Sequence, residues 1–300
     1  CSMAQVEPIR PQAVTAAGSE VAGARWIPRL STATAHLLIG AGALVMLFPF
    51  LWTVSTSLKP PGSALTWPPE LIPETFNWEN YIRVWQIVPF LTYALNTVLI
   101  AIFTALGSVI SSTLIGYAFA RLRFPGRETL FLACLSTMML PFVVLMIPRY
   151  ILFRNLGWID TFLPLIVPEW FGVAVFIFFS RQYFRTLPME YDEAARIDGA
   201  SSWWIWVKII LPMSKPLLAT IAILAFRSAW NDFMAPLIYL QSDEHLTLAL
   251  GLVKFRGYYR TEWALMMAGA TLMTIPVLLV FFFFQRYFLE GLNFSGLSGR

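Results

Sequence analysis

Six stretches of this chain are apolar for long enough to cross a lipid bilayer, and that leaves few folds open to it. They span residues 33–56, 93–118, 130–147, 162–179, 217–240 and 264–284. A helix rises about 1.5 Å per residue, so a hydrocarbon core of about 30 Å needs roughly 20 residues. Lipid offers the backbone no hydrogen-bond partners, and alternating strand patterns are absent, so helices remain. The expected fold is all-α: a polytopic membrane protein with six transmembrane helices. The third and fourth stretches are shorter and interrupted by Pro141, Pro164 and Pro168, each of which removes a backbone donor and kinks a helix.

Composition agrees. Hydrophobic residues make up 58% of the 300 and charged residues 13%, against about 25% charged in soluble domains. The mean hydropathy is +0.66. A net charge of +4 does not point to nucleic acid, because the basic residues form no stripe. They suit anchors on the inner face of a membrane instead. With the N-terminus inside, thirteen of the 21 Lys and Arg residues fall on the inner side, among them Arg121, Arg123, Arg127, Arg181 and Arg185. Seven fall outside and Arg227 lies within a span. Both termini are therefore expected to be cytoplasmic. The expected organisation is a cytoplasmic tail over 1–32, a six-span domain over 33–288 and a cytoplasmic tail over 289–300. The start, polar and rich in Pro and Ala, does not read as a secretory signal peptide. Cys1 and Cys134 are too few and too far apart for a disulfide framework or a metal site, and neither His36 nor His245 supports a metal site.

One loop, 181–215, breaks the apolar character. It reads EYDEAARIDGASSWWIWVKIILP from Glu190 to Pro212. Two short helices are expected. The first starts near Thr186 or Leu187 with Pro188 in its opening turn, where a missing N–H costs little. Glu190, Asp192 and Glu193 then lie near the positive end of its dipole. Asp198-Gly199 supplies the stop, since Gly adopts the left-handed conformation readily. Ser201 or Ser202 caps the second helix, 203–211, ahead of Pro212. Ala194 and Ala195 leave little bulk, so the first helix could be pressed closely into a groove on another protein. Trp203, Trp204 and Trp206 suit the membrane interface. From these residues alone, the segment is either a docking element or one more interfacial loop helix.

The pattern Glu193-Ala194-Ala195, three residues, Gly199, nine residues, then Ile209-x-Leu211-Pro212 resembles the signature of permease subunits of bacterial ABC importers. Three further stretches are similar to carbohydrate-importer permeases of the maltose-transporter inner-membrane type. They are Gly116-Tyr117-Ala118-Phe119-Ala120-Arg121-Leu122, Trp230-Asn231-Asp232-Phe233, and Gln285-Arg286-Tyr287-Phe288 with Gly291-Leu292. The tail from Asn293 to Arg300 departs from the family's small, Gly/Ala-rich end.

The resemblance implies that the loop is a cytoplasmic coupling helix seated in a cleft of an ATPase subunit, with Glu193 paired to a basic residue there and Gly199 making the turn. Motion of Glu190, Ala194, Ala195 and Asp198 would pass through Ile209, Leu211 and Pro212 into the fifth span. The chain has no G-x-x-x-x-G-K-[ST] phosphate loop, so this chain is expected to bind no cofactor, and ATP with its Mg²⁺ to sit on partner ATPase subunits. The implied partners are a second, homologous permease, two cytoplasmic ATPase subunits and an extracytoplasmic sugar-binding protein. The external loops, including Asp243-Glu244-His245, would meet the last of these.

Polar groups at membrane depth usually face the bundle interior, because exposing them to lipid is costly. Arg227, Trp230, Asn231 and Asp232 in the fifth span, Asn96 in the second and Glu169 after Pro168 are therefore candidates for the substrate pathway. Sugars offer hydroxyls and apolar C–H faces, which polar groups beside aromatics suit. Arg227 with Asp232, or Asn96 alone, could equally hold the bundle together, and Glu169 could cap a helix. An ion-driven transporter would need a titratable relay in the membrane, usually with internal symmetry, and neither is evident. An enzyme would need a cluster of catalytic residues, and none stands out.

Overall fold

The computed structural model describes residues 32–257 and 261–296; the expected tail over 1–32 lies almost wholly outside them, as does the end of the tail over 289–300. The described residues form helices with no strand beyond one isolated bridge between Arg256 and Thr261. Among the described residues, four helices are long and apolar enough to cross a membrane, or up to six if each of two bent pairs is one span. The described residues divide into two compact units between Pro49 and Phe50.

Helix α1 (Thr32–Ser57) is apolar on all faces and contains Pro49. A loop leads to α2 (Glu79–Ile87). Its buried Asn80 donates from Nδ2 to Ser57 O and Lys59 O, both at 2.8 Å, pinning the start of that loop. Then follows α3 (Phe90–Arg121), the central helix. Gly107, Ser108, Ser111, Ser112 and Gly116 of α3 are buried. Small side chains let helices approach closely where lipid provides no hydrophobic drive for packing. Ser112 Oγ accepts from Val173 N at 3.1 Å across this seam.

The third span is bent. Helices α4 (Arg127–Ser136) and α5 (Phe142–Asn155) meet at about 100° around Leu140-Pro141. The fourth comprises α6 (Leu163–Ile166), a 3₁₀ segment from Val167 to Phe171, and α7 (Ala174–Thr186). The loop that follows holds α8 (Glu190–Ile197), α9 (Ser202–Ile205), a wide π turn and α10 (Leu211–Met213). After an 85° bend come α11 (Lys215–Trp230), α12 (Met234–Tyr239), α13 (Leu248–Gly251) and α14 (Trp263–Gly296).

The expected fifth span, 217–240, needs correction. It is not one helix: α11 ends at Trp230, residues 231–233 are irregular, and α12 follows. Asn231 Nδ2 donates to Arg227 O at 2.9 Å and Asp232 Oδ1 accepts from Ala235 N at 3.3 Å. Asp232 thus satisfies a backbone N–H freed at the break, and Asn231 adds a second bond to the last turn of α11, whose Arg227 O also accepts from Asn231 N at 3.2 Å; such bonds permit the break at membrane depth.

Two packed clusters occupy the two ends of the bundle. Around α8, Tyr117, Phe184, Ile205, Ile210 and Ile221 come together; at the other end, Tyr93, Trp230, Leu248, Phe255 and Leu265 do. Helices α3 and α11 contribute to both. The far loops are clasped by Asp160, whose carboxylate accepts from Gln241 N and Ser242 N at 2.9 Å, from Ser242 Oγ, and from His245 Nδ1 at 3.2 Å. These donors hold Asp160 well below its ordinary pKa of 3.8, the Ser242 hydroxyl first among them. A depressed folded-state pKa contributes stability above the unfolded value and loses it as pH falls below that value. The melting-temperature gap between wild type and Asp160→Asn, measured by thermal unfolding in detergent, is therefore expected to hold steady from pH 8 to 5 and to shrink below pH 4.

Candidate docking helix and membrane cavity

Helix α8 begins at Glu190, later than the expected Thr186 or Leu187, and Pro188 lies ahead of it rather than in its first turn. Leu187 is extended, as the residue before a proline tends to be, and that delays the helix. The stop is as expected: Gly199 has φ 82°, with Gly199 N donating to Arg196 O at 3.0 Å and Ala200 N to Ala195 O at 2.9 Å. Ser201 is the cap of the next helix, its Oγ accepting from Trp204 N at 3.3 Å. That second helix runs past the expected 203–211 to Met213, across Pro212. In the widened turn ahead of it, Leu211 N bonds Trp206 O five residues back, which eases the crowding a proline ring imposes.

The two faces of α8 differ. Asp192 and Ala195 are buried, whereas Glu190, Glu193, Ala194, Ile197, Asp198 and Gly199 are exposed. Ile197 is 87% exposed, with Tyr191 also outward. An acidic rim around small and apolar side chains is thus presented outward on a helix fixed from behind. Of the downstream residues, Ile210 is fully buried while Ile209 and Leu211 are half-buried against the same cluster. Trp203 and Trp204 are exposed, but Trp206 corrects the expected interfacial trio: it is buried in that cluster.

The back of α8 was not assigned from sequence. Asp192 meets Arg121 at the end of α3, Nη1 to Oδ2 3.7 Å, and Tyr117 Oη donates to its Oδ1 at 3.4 Å. Arg121 also donates from Nη2 to Leu187 O at 2.8 Å and touches Met189 Sδ. The Gly116–Leu122 stretch, which carries part of the resemblance, is the mount of the helix. The signal was present in that stretch, but its partner lies 75 residues from Tyr117.

Among the pathway candidates, the structure brings two together. Glu169 and Asp232 line one cavity of about 240 Å³ between α3, α6, α7, α11 and α12, with the hydroxyls of Thr104, Ser228 and Thr247. Ser108 Oγ donates to Glu169 Oε2 at 3.2 Å. Both carboxylates sit at helix breaks, where irregular backbone at membrane depth is tolerated beside a cavity. The others lie elsewhere. Trp230 is only 2% exposed; its Nε1 donates to Met273 O at 3.1 Å and its ring stacks on Phe226, so it locks α11 to α14. Asn96 donates to Glu244 O at 2.7 Å and Leu246 O at 3.0 Å, using both amide hydrogens on an end loop. Arg227 and Asn231 are exposed outside the cavity. No group of three or more potential metal ligands occurs among the described residues.

These features define a helical, multi-pass membrane protein with one short helix, α8, whose acidic outer face is exposed and whose inner face packs against α3. The chain belongs to the family of binding-protein-dependent transport system inner membrane components, which it matches over residues 112–293. It is 35% identical over 260 residues to the arabinooligosaccharides transport system permease protein AraQ of Halalkalibacterium halodurans, covering 86% of this chain and 93% of the relative. It is 34% identical to the trehalose/maltose transport system permease protein MalG of Thermococcus litoralis, covering 88% and 96%. A chain of the crystal structure of a bacterial ABC transporter involved in the import of the acidic polysaccharide alginate superposes with a TM-score of 0.73 at 28% identity, covering 85% of this chain and 95% of that one.

Proposed function

We propose that this chain is the permease subunit of an ATP-driven importer for a carbohydrate. In this reading it sits in the bacterial inner membrane with both termini cytoplasmic and pairs with a second, homologous permease. Two cytoplasmic ATPase subunits hydrolyse ATP with Mg²⁺, this chain being non-catalytic, and an extracytoplasmic sugar-binding protein delivers the substrate. The relatives described above, one a permease of an arabinooligosaccharides transport system and one of a trehalose/maltose transport system, support carbohydrate over other solutes.

The observation that carries the mechanism is the two-faced α8. Its outer face, with Glu193, Ala194 and Ile197, is free to be gripped, and its inner face, with Asp192 and Ala195, is buried against the bundle. Closure of the ATPase subunits moves α8 as a body. The turn at Gly199 passes the motion through Ile209, Leu211 and Pro212 into α11, and the bundle changes between two discrete packings, inward-open and outward-open. Glu169 and Asp232 line the wall of the pathway in this reading, with hydroxyl neighbours suited to a polyhydroxylated solute.

The test is ATP hydrolysis by the complete complex in proteoliposomes across a panel of neutral oligosaccharides, each with its binding protein. At least one is expected to raise hydrolysis several-fold. Stimulation by an amino acid, phosphate or polyamine instead, with no sugar effective, would contradict the carbohydrate assignment.

A further inference from the structure

The buried contact behind α8 has a geometry that a permanent brace would not need. The side chains of Arg121 and Asp192 are 2% and 1% exposed, yet their closest charged atoms stand 3.7 Å apart. Hydrogen bonds between a guanidinium and a carboxylate close to about 2.7–2.9 Å. Both Arg121 Nε and Asp192 Oδ2 are buried without a hydrogen-bond partner. Each side of the pair thus keeps bonding capacity in reserve, and a shift of α8 against α3 of about one ångström would use it.

A second ion pair nearby lacks this slack. Arg181 of α7 bonds both carboxylate oxygens of Glu128 at 2.7 and 2.6 Å and lies 3.9 Å from the Phe131 ring centroid. That contact fastens α4 to α7 in a completed form. The two differ in the way expected of a fixed joint beside a working one.

Helix α3 extends from this contact to the cavity. Thr104 on α3 lines the cavity with Glu169, and Ser108 holds the Glu169 carboxylate. Tyr117 is thirteen residues from Thr104, about 20 Å along a helix. A rigid α3 therefore joins the back of the docking helix to the wall that carries the carboxylates. This route is independent of the one through Gly199 and α11.

We propose that Asp192 and Arg121, assisted by Tyr117, are positioning residues that transmit movement of α8 to α3, the pair tightening in the alternate packing. The inference rests on reading α8 as the helix gripped by the ATPase. It gives α8 two outputs, α3 from its buried face and α11 through its C-terminal turn. The cavity, walled by both helices, would then change shape from two sides at once.

The experiment compares ATP hydrolysed per sugar imported in proteoliposomes of the complete complex, normalised to assembled complex. The variants are Asp192→Asn, Arg121→Gln, their combination, and Tyr117→Phe. Both charge variants are expected to raise the ratio about tenfold, the combination no further than either alone, and Tyr117→Phe about threefold. A brace that only supports folding gives another result: hydrolysis and uptake fall together with the amount of complex, or the neutral pair recovers the wild-type ratio. Either finding overturns the proposal. Should the charge variants fail to assemble, Tyr117→Phe decides, because it deletes one hydroxyl and strands no charge; an unchanged ratio there overturns the proposal. Ile197→Asp on the exposed face separates this test from the reading beneath it. If Ile197→Asp leaves the ratio unchanged, docking at α8 is wrong. If it uncouples while the buried variants do not, only the transmission to α3 is wrong.

Discussion

Gly199→Pro is expected to abolish sugar uptake while leaving the protein in the membrane. Gly199 has φ 82° and its N–H bonds Arg196 O at 3.0 Å. Proline imposes a φ near −65° and has no N–H, so it can take neither the conformation nor the bond. It also pushes the preceding residue out of helical conformations, and Asp198 has φ −74° and ψ 4°. The turn must reorganise, and α8 loses its fixed angle to α9. Gly199→Ala is the informative control. A Cβ there meets nothing within 4 Å, so its cost is the left-handed strain alone, about 1–2 kcal/mol. Alanine is expected to keep most of the uptake. Full uptake with proline, measured in proteoliposomes at equal amounts of complex, would contradict the role given to this turn.

Gly116→Val is expected to prevent the bundle from packing at all. A Cβ at Gly116 would collide with Ser180 Cβ and stand 3.1 Å from Arg181 N and 3.2 Å from Ile177 O. Two of those three atoms belong to the backbone of α7, which cannot rotate away as a flexible side chain can. Overpacking of a tight core costs typically 1–3 kcal/mol and more when backbone must shift; valine adds two further carbons at the closest point between α3 and α7. The neighbouring Tyr117 and Arg121 would be displaced from Asp192 as well. The expected result is a monodisperse yield after detergent extraction at least tenfold below wild type, read by size-exclusion chromatography. A normal yield and melting temperature would show that the two helices do not approach as described.

The spans were legible because length and hydropathy alone decide them: 93–118 and 264–284 fall inside Phe90–Arg121 and, but for its last residue, Trp263–Phe283. The break at 231–233 was not, since its polar residues Asn231 and Asp232 suit a substrate pathway as well as a helix end, and only their bonds with nearby backbone reveal it. In the loop, Gly199 and Ser201 spoke clearly, because left-handed turns and helix caps accept few residue types. Trp230 misled: an aromatic beside polar groups suggests a sugar platform, but its indole N–H reaches Met273 O, a contact 43 residues away. Glu169 and Asp232 share a cavity only because two separate helix breaks converge, which no local pattern encodes. Asp192 was visible as one acid among several. That it alone of the four acidic residues from Glu190 to Asp198 turns inward follows from helix phase relative to α3, a tertiary fact.

Coupling depends most on what touches the outer face of α8. A photo-reactive amino acid placed at Ile197, the most exposed apolar side chain of that helix, tests it in the assembled transporter within intact membranes. A covalent adduct with the ATPase subunit is expected, with a yield that changes when nucleotide drives the subunits together. An adduct with the extracytoplasmic binding protein, or none with the ATPase in an active complex, would contradict it.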